Sequence, residues 1–210
     1  MSGVWPISVV VLAGGKSRRL GRDKATEKLE GETLLARVLR MLAPLSQDRV
    51  VVLDGERGVA GLPQGVRLVT DIYPNMGSLG GLYSGLMAAA LFHSLVVACD
   101  MPFLNLSLLR YMVTLASDFD VVIPWRDGEM EPLHAIYSKN CLGPMEDSLR
   151  RGQLKIISFL SQVRVRYLNQ EEVSALDPEQ LSFFNINDAV DLEKAHMLAR
   201  GMAPTSPYEE

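Results

Sequence analysis

The sequence predicts a doubly wound, mostly parallel α/β sheet of the Rossmann-like kind, formed by a single domain. Two observations lead to this fold class. Short continuous runs of Val, Leu and Ile, such as residues 7–12 and 49–53, are typical of strands buried on both faces of a parallel sheet. Segments with apolar residues at helical spacing alternate with these runs, which implies right-handed crossovers. Ligands of such sheets bind at the carboxyl ends of the strands.

The predicted elements follow one another in chain order. Strands are predicted at 7–12, 49–53, 66–69, 95–99, 120–124, 133–137 and 163–168. Helices are predicted at 34–42, 79–92, 106–116, 142–151, 156–160 and 188–199. Pro44 ends the apolar pattern of the first helix. We expect one domain over residues 1–200 and a disordered, polar tail at 201–210.

The composition limits the classes of protein to consider. A chain of 210 residues, 48% of them hydrophobic, can bury a full core. Its net charge of −4 argues against a nucleic-acid-binding protein. Two cysteines, Cys99 and Cys141, are too few for a disulfide framework and indicate a reducing compartment. No apolar run reaches about 18 residues and no basic segment precedes the apolar start, so we expect a cytoplasmic protein with no membrane span.

A glycine-rich and basic loop follows the first predicted strand. Two adjacent glycines, Gly14 and Gly15, allow backbone amides to approach an anion closely. Five cations follow within nine positions, namely Lys16, Arg18, Arg19, Arg22 and Lys24. Arginine binds phosphate with two hydrogen bonds and lysine acts as a point charge, so the loop suits a nucleoside triphosphate. The alternative, an exposed basic loop without a ligand, is less typical after a buried strand.

Two well-known phosphate motifs do not match this loop. The segment Gly15-Lys16-Ser17 resembles the end of a Walker A loop, but that motif requires glycine where the chain has Val10. The dinucleotide fingerprint G-x-G-x-x-G is also absent from the sequence. The loop therefore predicts phosphate binding of another type.

The run LAGGKSRRLGRDKA resembles the signature of sugar-phosphate and cofactor nucleotidyltransferases, and most closely that of the molybdenum cofactor guanylyltransferases of the MobA type. The resemblance extends over nearly the whole chain and implies the nucleotide-diphospho-sugar transferase fold. It implies nucleotide contacts by Leu12, Ala13, Gly14 and Gly15, phosphate contacts by Arg19, and binding of the triphosphate near the scissile bond by Lys24.

Asp100 follows the predicted strand 95–99 and is followed by Met101 and Pro102. A carboxylate at the end of a strand, together with substrate phosphates, is a usual way to hold Mg²⁺. The alternative is an N-cap of the next helix, but Asn105 and Ser107 lie closer to its start. The resemblance also implies that Asp100 holds the catalytic Mg²⁺ and contacts the nucleotide.

Asp71 follows the third predicted strand, before a glycine-rich segment. Its carboxylate matches the N1–H and N2–H₂ donors of guanine, or it starts a turn, as aspartate often does. The residues alone leave both open, and the resemblance implies a nucleotide contact. It implies the same for Gly77 and Gly81, while Gly85 would allow tight helix packing.

Two positions depart from the pattern of the family. Many members have asparagine after the second strand, where this chain has Leu53 and then Asp54, so Asp54 is the expected substitute as a nucleotide contact. The usual glycine-proline-leucine turn is Gly77-Ser78-Leu79, and Ser78 removes a fixed φ angle. The base selectivity of the family therefore transfers to this chain less directly than its phosphate chemistry.

The later segments MEPLHAIYSKNCLG and FFNIND also match the family. Asn185 and Asn187 lie two apart in an extended segment and should share one face, which the resemblance places on the acceptor side. Lys155 is a candidate cation for the phosphate of the acceptor. His134 alternates with apolar neighbours and is predicted to be a buried structural histidine, and Cys99 is predicted to be a core residue.

The resemblance implies transfer of GMP from GTP to the phosphate of molybdopterin, with release of pyrophosphate. Molybdoenzymes and other cofactor-biosynthesis proteins are the protein partners that it suggests. Three alternatives remain open at this point. They are a cytidylyltransferase acting on the same pterin, a sugar-phosphate nucleotidyltransferase, and a carrier that binds the cofactor or nucleotide without catalysis.

Overall fold

The computed structural model describes residues 5–14, 26–55, 58–59 and 61–201. Its strands are β1 (Ser8–Leu12), β2 (Lys28–Leu29), β3 (Glu32–Thr33), β4 (Arg49–Leu53), β5 (Val66–Thr70), β6 (His93–Ala98), β7 (Val121–Arg126), β8 (Glu129–Met130), β9 (His134–Ser138) and β10 (Val165–Leu168). Its α-helices are α1 (Leu34–Leu42), α2 (Gly77–Ala88), α3 (Leu106–Leu115), α4 (Leu142–Arg150), α5 (Gln170–Leu176) and α6 (Ala189–Ala199). Short 3₁₀ helices cover Ala116–Asp118, Lys139–Cys141, Ile156–Gln162 and Leu181–Phe183.

The strands form one main sheet in the order β10-β7-β9-β6-β1-β4-β5, and β8 pairs with β7. The central strand β1 is parallel to both β4 and β6, and β5 continues the parallel arrangement on β4. In the other half of the sheet, β9 runs antiparallel between β6 and β7. The predicted mostly parallel sheet is therefore confirmed.

The core consists of two apolar layers, one on each face of the sheet. Val9 and Val11 of β1 pack with α1 and α3 on one face. Val10 and Leu12 pack with α2 and α4 on the other. This alternation explains why the strand reads as a continuous apolar run, because both of its faces are covered by helices.

No helix in the described ranges is both long and apolar enough to cross a lipid bilayer.

A tight hairpin explains the antiparallel direction of β9. Asp127 and Gly128 connect β7 to β8 with φ angles of 50° and 82°, as two-residue hairpins of the type I′ kind require. The turn from Glu131 to His134, closed by a hydrogen bond from the His134 N–H to the Glu131 carbonyl (3.0 Å), then leads into β9. The chain therefore returns beside β6 without a crossover helix.

Several predicted bounds differ from the structure. The helix predicted at 79–92 is α2, which begins at Gly77 and ends at Ala88, because Ala89 has an extended backbone. The helix predicted at 156–160 is part of a 3₁₀ helix, Ile156–Gln162. Helix α5 was not predicted, although Asn169 and Glu172 form a capping box at its start. Apart from Gly201, the predicted tail lies outside the described residues.

Candidate active site

A cavity of about 850 Å³ lies at the carboxyl ends of the central strands. Residues that follow β1, β4 and β5, together with the start of α2, line one part, which we call the β1 side. The turn before β9 and the segment before α6 line the opposite part, which we call the β9 side. Asp100, which follows β6, lines the wall between them because β6 lies between β1 and β9 in the sheet. The fold therefore forms one cavity with two chemically different walls.

The β1 side is lined by Leu12, Gly14, Asp54, Asp71, Gly77 and Gly81 among others. A Cβ atom added to Gly14 would lie 3.2 Å from both the backbone nitrogen and the Cβ of Asp54. The glycine thus allows the end of β1 to pack directly against the residue that follows β4. Asp54, the predicted substitute for the asparagine of the family, lines the cavity beside it.

Ala13, another predicted nucleotide contact, is placed differently. Its side chain is buried in the core layer with α1 and does not line the cavity. Its N–H donates to the carbonyl of Val52 (2.9 Å), which continues the pairing of β1 with β4. The predicted contacts of Gly15, Arg19 and Lys24 lie outside the described residues.

The first turn of α2 lies in the wall of the cavity. The N-cap residue, Met76, makes no side-chain cap hydrogen bond, and Gly77, Ser78 and Gly81 line the cavity. Gly77 has a φ of 64°, a conformation that favours glycine. A Cβ atom on Gly81 would meet the Leu12 side chain at an ordinary 3.7 Å, so internal packing does not demand glycine there. Uncapped N–H groups at a helix start can donate to a ligand.

Asp71 starts a turn and also lines the cavity. Its Oδ1 accepts hydrogen bonds from the Tyr73 N–H (2.9 Å) and the Ser84 hydroxyl (2.7 Å), so the residue does start a turn. The same side chain lines the cavity on the β1 side. The turn therefore fixes a carboxylate in the cavity wall.

Asp100 lies at the junction of the two sides. Its backbone carbonyl accepts a hydrogen bond from the Ile186 N–H (3.0 Å), which attaches the segment before α6 to the end of β6. It does not cap α3, since the Asn105 side chain accepts from the N–H groups of Ser107 and Leu108. Of the two residues that the sequence placed closer to the helix start, Asn105 is the cap, and Asp100 lines the cavity.

The two asparagines predicted on the acceptor side lie on the β9 side. Asn185 and Asn187 both line the cavity, whereas Ile186 between them is fully buried. The extended segment thus directs both asparagines to one face, as the spacing of two predicted. The Asn185 amide donates to the Phe183 carbonyl (3.1 Å), which fixes its orientation.

Lys155 does not line this cavity. It lies on a second cavity of about 510 Å³, whose wall includes the exposed apolar side chains of Leu154 and Ile157. Ser78, Pro132 and Leu133 belong to the walls of both cavities, so the two are neighbours. Contact of Lys155 with the acceptor phosphate would require the acceptor to extend from one cavity to the other.

His134 is confirmed as a buried residue of the core. It is fully buried, and its ring packs on Phe183 with 4.8 Å between the ring centroids. Burial lowers the pKa of His134 to about 3, with a smaller contribution from the charge of Arg126. The imidazole is therefore neutral near pH 7. It does not line the cavity, which excludes direct contact with a substrate there. Cys99 is also buried, as predicted, and borders the cavity.

Glu131 lines the β9 side and was given no role on the basis of the sequence. Its Oε1 accepts from Arg126 Nε at 2.9 Å. Burial raises the pKa of Glu131, and the charge of Arg126 opposes that shift. The signal in the sequence was an acidic residue before Pro132 in the turn that joins two strands. Its position in the cavity depends on the β7–β8 hairpin, which was not predicted.

The sequence is similar to a known protein family and to named proteins. Residues 9–165 match the family model of the MobA-like NTP transferase domain. A probable molybdenum cofactor guanylyltransferase from Pelotomaculum thermopropionicum is 40% identical over 90% of this chain and 92% of its own. The molybdenum cofactor guanylyltransferase of Desulfosudis oleivorans is 36% identical over 90% of this chain and 94% of its own.

Solved structures agree with the sequence relatives. The molybdopterin-guanine dinucleotide biosynthesis protein A of Archaeoglobus fulgidus superposes with a TM-score of 0.80 at 29% identity, covering 93% of this chain and all of that one. The 2-C-methyl-D-erythritol 4-phosphate cytidylyltransferase of Thermus thermophilus shares the fold, with a TM-score of 0.68 at 21% identity over 92% and 98% of the two chains. The chain belongs to the MobA-like NTP transferase family.

Proposed function

We propose that this protein transfers GMP from GTP to the terminal phosphate of molybdopterin, forming the guanine dinucleotide form of the cofactor and pyrophosphate. The observation that carries the proposal is the single cavity in which Asp100 lies between the β1 side and the β9 side. The names of the relatives, which share most of the length of the chain, support guanylyl transfer in particular. The β1 side would take the nucleotide and the β9 side the acceptor.

The reaction needs no protein nucleophile. An oxygen of the acceptor phosphate, already anionic near neutral pH, attacks the α-phosphorus of GTP and forms a new P–O bond. The bond from the α-phosphorus to the bridging oxygen breaks, and its electron pair leaves with pyrophosphate. Catalysis then comes from alignment and charge neutralisation. Arg19 and Lys24, which lie outside the described residues, are the proposed cations for the departing phosphates.

The donors in the cavity fit Mg²⁺ bound together with a substrate. Among the described residues, no three His, Cys, Asp or Glu side chains form a ready-made metal cluster. Mg²⁺ is usually held by one or two carboxylates plus substrate phosphates, and Asp100 supplies a carboxylate in the wall of the cavity. When bound, the ion would neutralise charge on the phosphate oxygens. In this proposal Asp100 would supply a carboxylate ligand to the ion.

Selectivity for guanine is assigned to Asp71. Guanine offers the N1–H and N2–H₂ donors side by side, and a carboxylate accepts both, whereas cytosine does not offer this pair. The hydrogen bonds from Tyr73 and Ser84 hold Asp71 in one orientation on the β1 side. A fixed acceptor in a cavity wall binds its donors more tightly than a mobile one, because less conformational entropy is lost on binding.

A panel of GTP, CTP, ATP and UTP tests the proposal. At about 100 times its dissociation constant, GTP should stabilise the folded state by about 2.7 kcal/mol and raise the melting temperature by about 5–10 °C. The other three nucleotides should have smaller effects at the same concentration. Pyrophosphate should be released when GTP and molybdopterin are both present with Mg²⁺.

The Asp71→Asn variant tests whether Asp71 determines the base selectivity. It preserves the oxygen that accepts from Tyr73 but removes the charge, so GTP should lose its advantage over the other nucleotides. Selective stabilisation by CTP would instead favour a cytidylyltransferase. Tight binding of GTP and molybdopterin without pyrophosphate release would favour a carrier and contradict the proposed reaction.

A further inference from the structure

Glu131 lies on the β9 side of the cavity that Asp100 also lines. The turn that it begins leads into β9, and the Leu133 carbonyl in this turn accepts a hydrogen bond from the Ala98 N–H (3.3 Å) at the end of β6. The two carboxylates thus come from neighbouring strands of the sheet. The Glu131 side chain is 19% exposed and lines the main cavity.

The orientation of Glu131 is fixed by its surroundings. Arg126 Nε donates to Oε1 at 2.9 Å, and the guanidinium group lies over the ring of Phe183, 4.8 Å from its centroid. Asp127 Oδ2 accepts from another nitrogen of Arg126 at 2.9 Å. Among the described residues, no donor contacts Oε2 of Glu131. A largely buried carboxylate with acceptor capacity left over gains free energy when a ligand donates to it.

Among the residues that the structure describes, contacts link Glu131 to the predicted acceptor residues. Arg126 packs on Phe183, whose carbonyl accepts from the Asn185 amide. Asp71, the carboxylate assigned to guanine, lies beyond β6, β1 and β4 in the sheet. The cavity therefore has a fixed carboxylate on each side of Asp100.

We infer that Glu131 binds the donor edge of the pterin ring of the acceptor, an inference that rests on the proposed function. A pterin carries a 2-amino group beside an N3–H, and these two donors point in the same direction. A carboxylate accepts both hydrogen bonds at once, and each of its oxygens has two lone pairs, so the bond from Arg126 does not compete. Glu131 is in this respect a specificity-determining residue for the acceptor, as Asp71 is for the nucleotide.

Two small probes test this inference without any turnover. Pterin has the 2-amino group, whereas lumazine has a carbonyl oxygen at the same position and places an acceptor against the carboxylate. We expect the wild-type protein to bind pterin at least about tenfold more tightly than lumazine in a fluorescence titration, since hydrogen bonds to charged groups discriminate by that amount or more. In Glu131→Gln, which keeps an oxygen for Arg126, the two affinities should agree within about threefold.

Asp127→Asn is the matched control. It removes the other carboxylate that contacts Arg126 but lies outside both cavities, so the preference for pterin should stay at its wild-type value. The melting temperature and the stabilisation by GTP should be unchanged in both variants. Unchanged stabilisation by GTP shows that the loss in Glu131→Gln is confined to the acceptor side.

Three results would overturn the inference. Equal binding of pterin and lumazine by the wild-type protein contradicts it without any variant. So does a full preference for pterin in Glu131→Gln, or a loss of GTP stabilisation as large as the loss of pterin binding. Failure of the proposed function is seen separately, as absence of pyrophosphate release by the wild-type protein with GTP, molybdopterin and Mg²⁺.

Discussion

Replacing Asp100 with asparagine should lower the rate of GMP transfer by about two to three orders of magnitude, the usual effect of removing one electrostatic group from a phosphate or oxyanion site. The amide has nearly the size of the carboxylate but no charge with which to hold Mg²⁺. The backbone contact from Ile186 to the Asp100 carbonyl does not involve the side chain, so the segment with both asparagines should stay in place. The expected defect is in kcat, measured as pyrophosphate release with saturating substrates and Mg²⁺.

Asp118→Asn is a suitable control, because Asp118 is exposed and precedes β7. It therefore lies at the amino-terminal end of that strand, away from the cavity at the carboxyl ends. It should keep full activity. Melting temperatures of both variants should match the wild-type value, which separates loss of catalysis from loss of fold. An Asp100→Asn protein that folds and transfers GMP at the normal rate would remove Asp100 from the mechanism.

Substituting alanine for Gly85 should destabilise the protein by about 3 kcal/mol, at the upper end of the usual cost of overpacking a core. A Cβ atom at this position would lie 2.3 Å from Val10 Cγ1 and 3.1 Å from Val52 Cγ2. Both valines are in the central strands β1 and β4, which cannot move away without disturbing the sheet that carries the cavity. In a chain of this length the melting temperature should fall by about 6–12 °C.

Gly143→Ala provides the comparison, because a Cβ atom at this exposed position in α4 would meet no atom within 4 Å apart from its chain neighbours and the backbone of its own helix. Pro144 follows directly and disfavours a helical backbone at a residue with a Cβ atom, which opposes the helix propensity of alanine, so stability should change by less than about 1 kcal/mol. A large loss of stability in Gly85→Ala alone then indicates steric conflict with the sheet. Equal melting temperatures for Gly85→Ala and Gly143→Ala would show that α2 does not pack on the sheet as described.

The parts of the fold that the sequence predicts well are those in which a single pattern dominates. β1 and β4 are continuous apolar runs, and α1 has its apolar side chains at helical spacing on one face. The bounds of α2 were less accurate, because small residues buried on several faces give no periodic signal at either end. Its last predicted turn, residues 89–92, is instead a loop that leads into β6.

The rule that ligands bind at the carboxyl ends of strands led to Asp71 and Asp100, and the family pattern added Asp54; all three line the cavity. Asn185 and Asn187 followed from their spacing and from the family resemblance. Glu131 was missed because it lies just before the predicted strand 133–137 and not at the carboxyl end of a predicted strand. It reaches the site only through the Asp127-Gly128 hairpin, a turn signal that was present in the sequence.

For Lys155 the sequence suggested a contact with the acceptor but did not show which cavity the residue borders. Its charge and its position after a glycine made it a reasonable acceptor contact, but such reasoning does not specify which of two adjacent cavities a loop borders. The structure places it beside Leu154 and Ile157, next to the cavity that holds Asp100. Whether a residue lies in one cavity or its neighbour depends on tertiary packing, which local sequence patterns do not encode.

The most direct test of the two-sided cavity is a crystal structure of the protein with GTP and Mg²⁺. The guanine should contact Asp71 and the first turn of α2, and the α-phosphate should lie beside Asp100. The β9 side, with Glu131 and Asn185, should remain open for the acceptor. A nucleotide bound outside this cavity, or with its base on the β9 side, would contradict the assignment of the two walls.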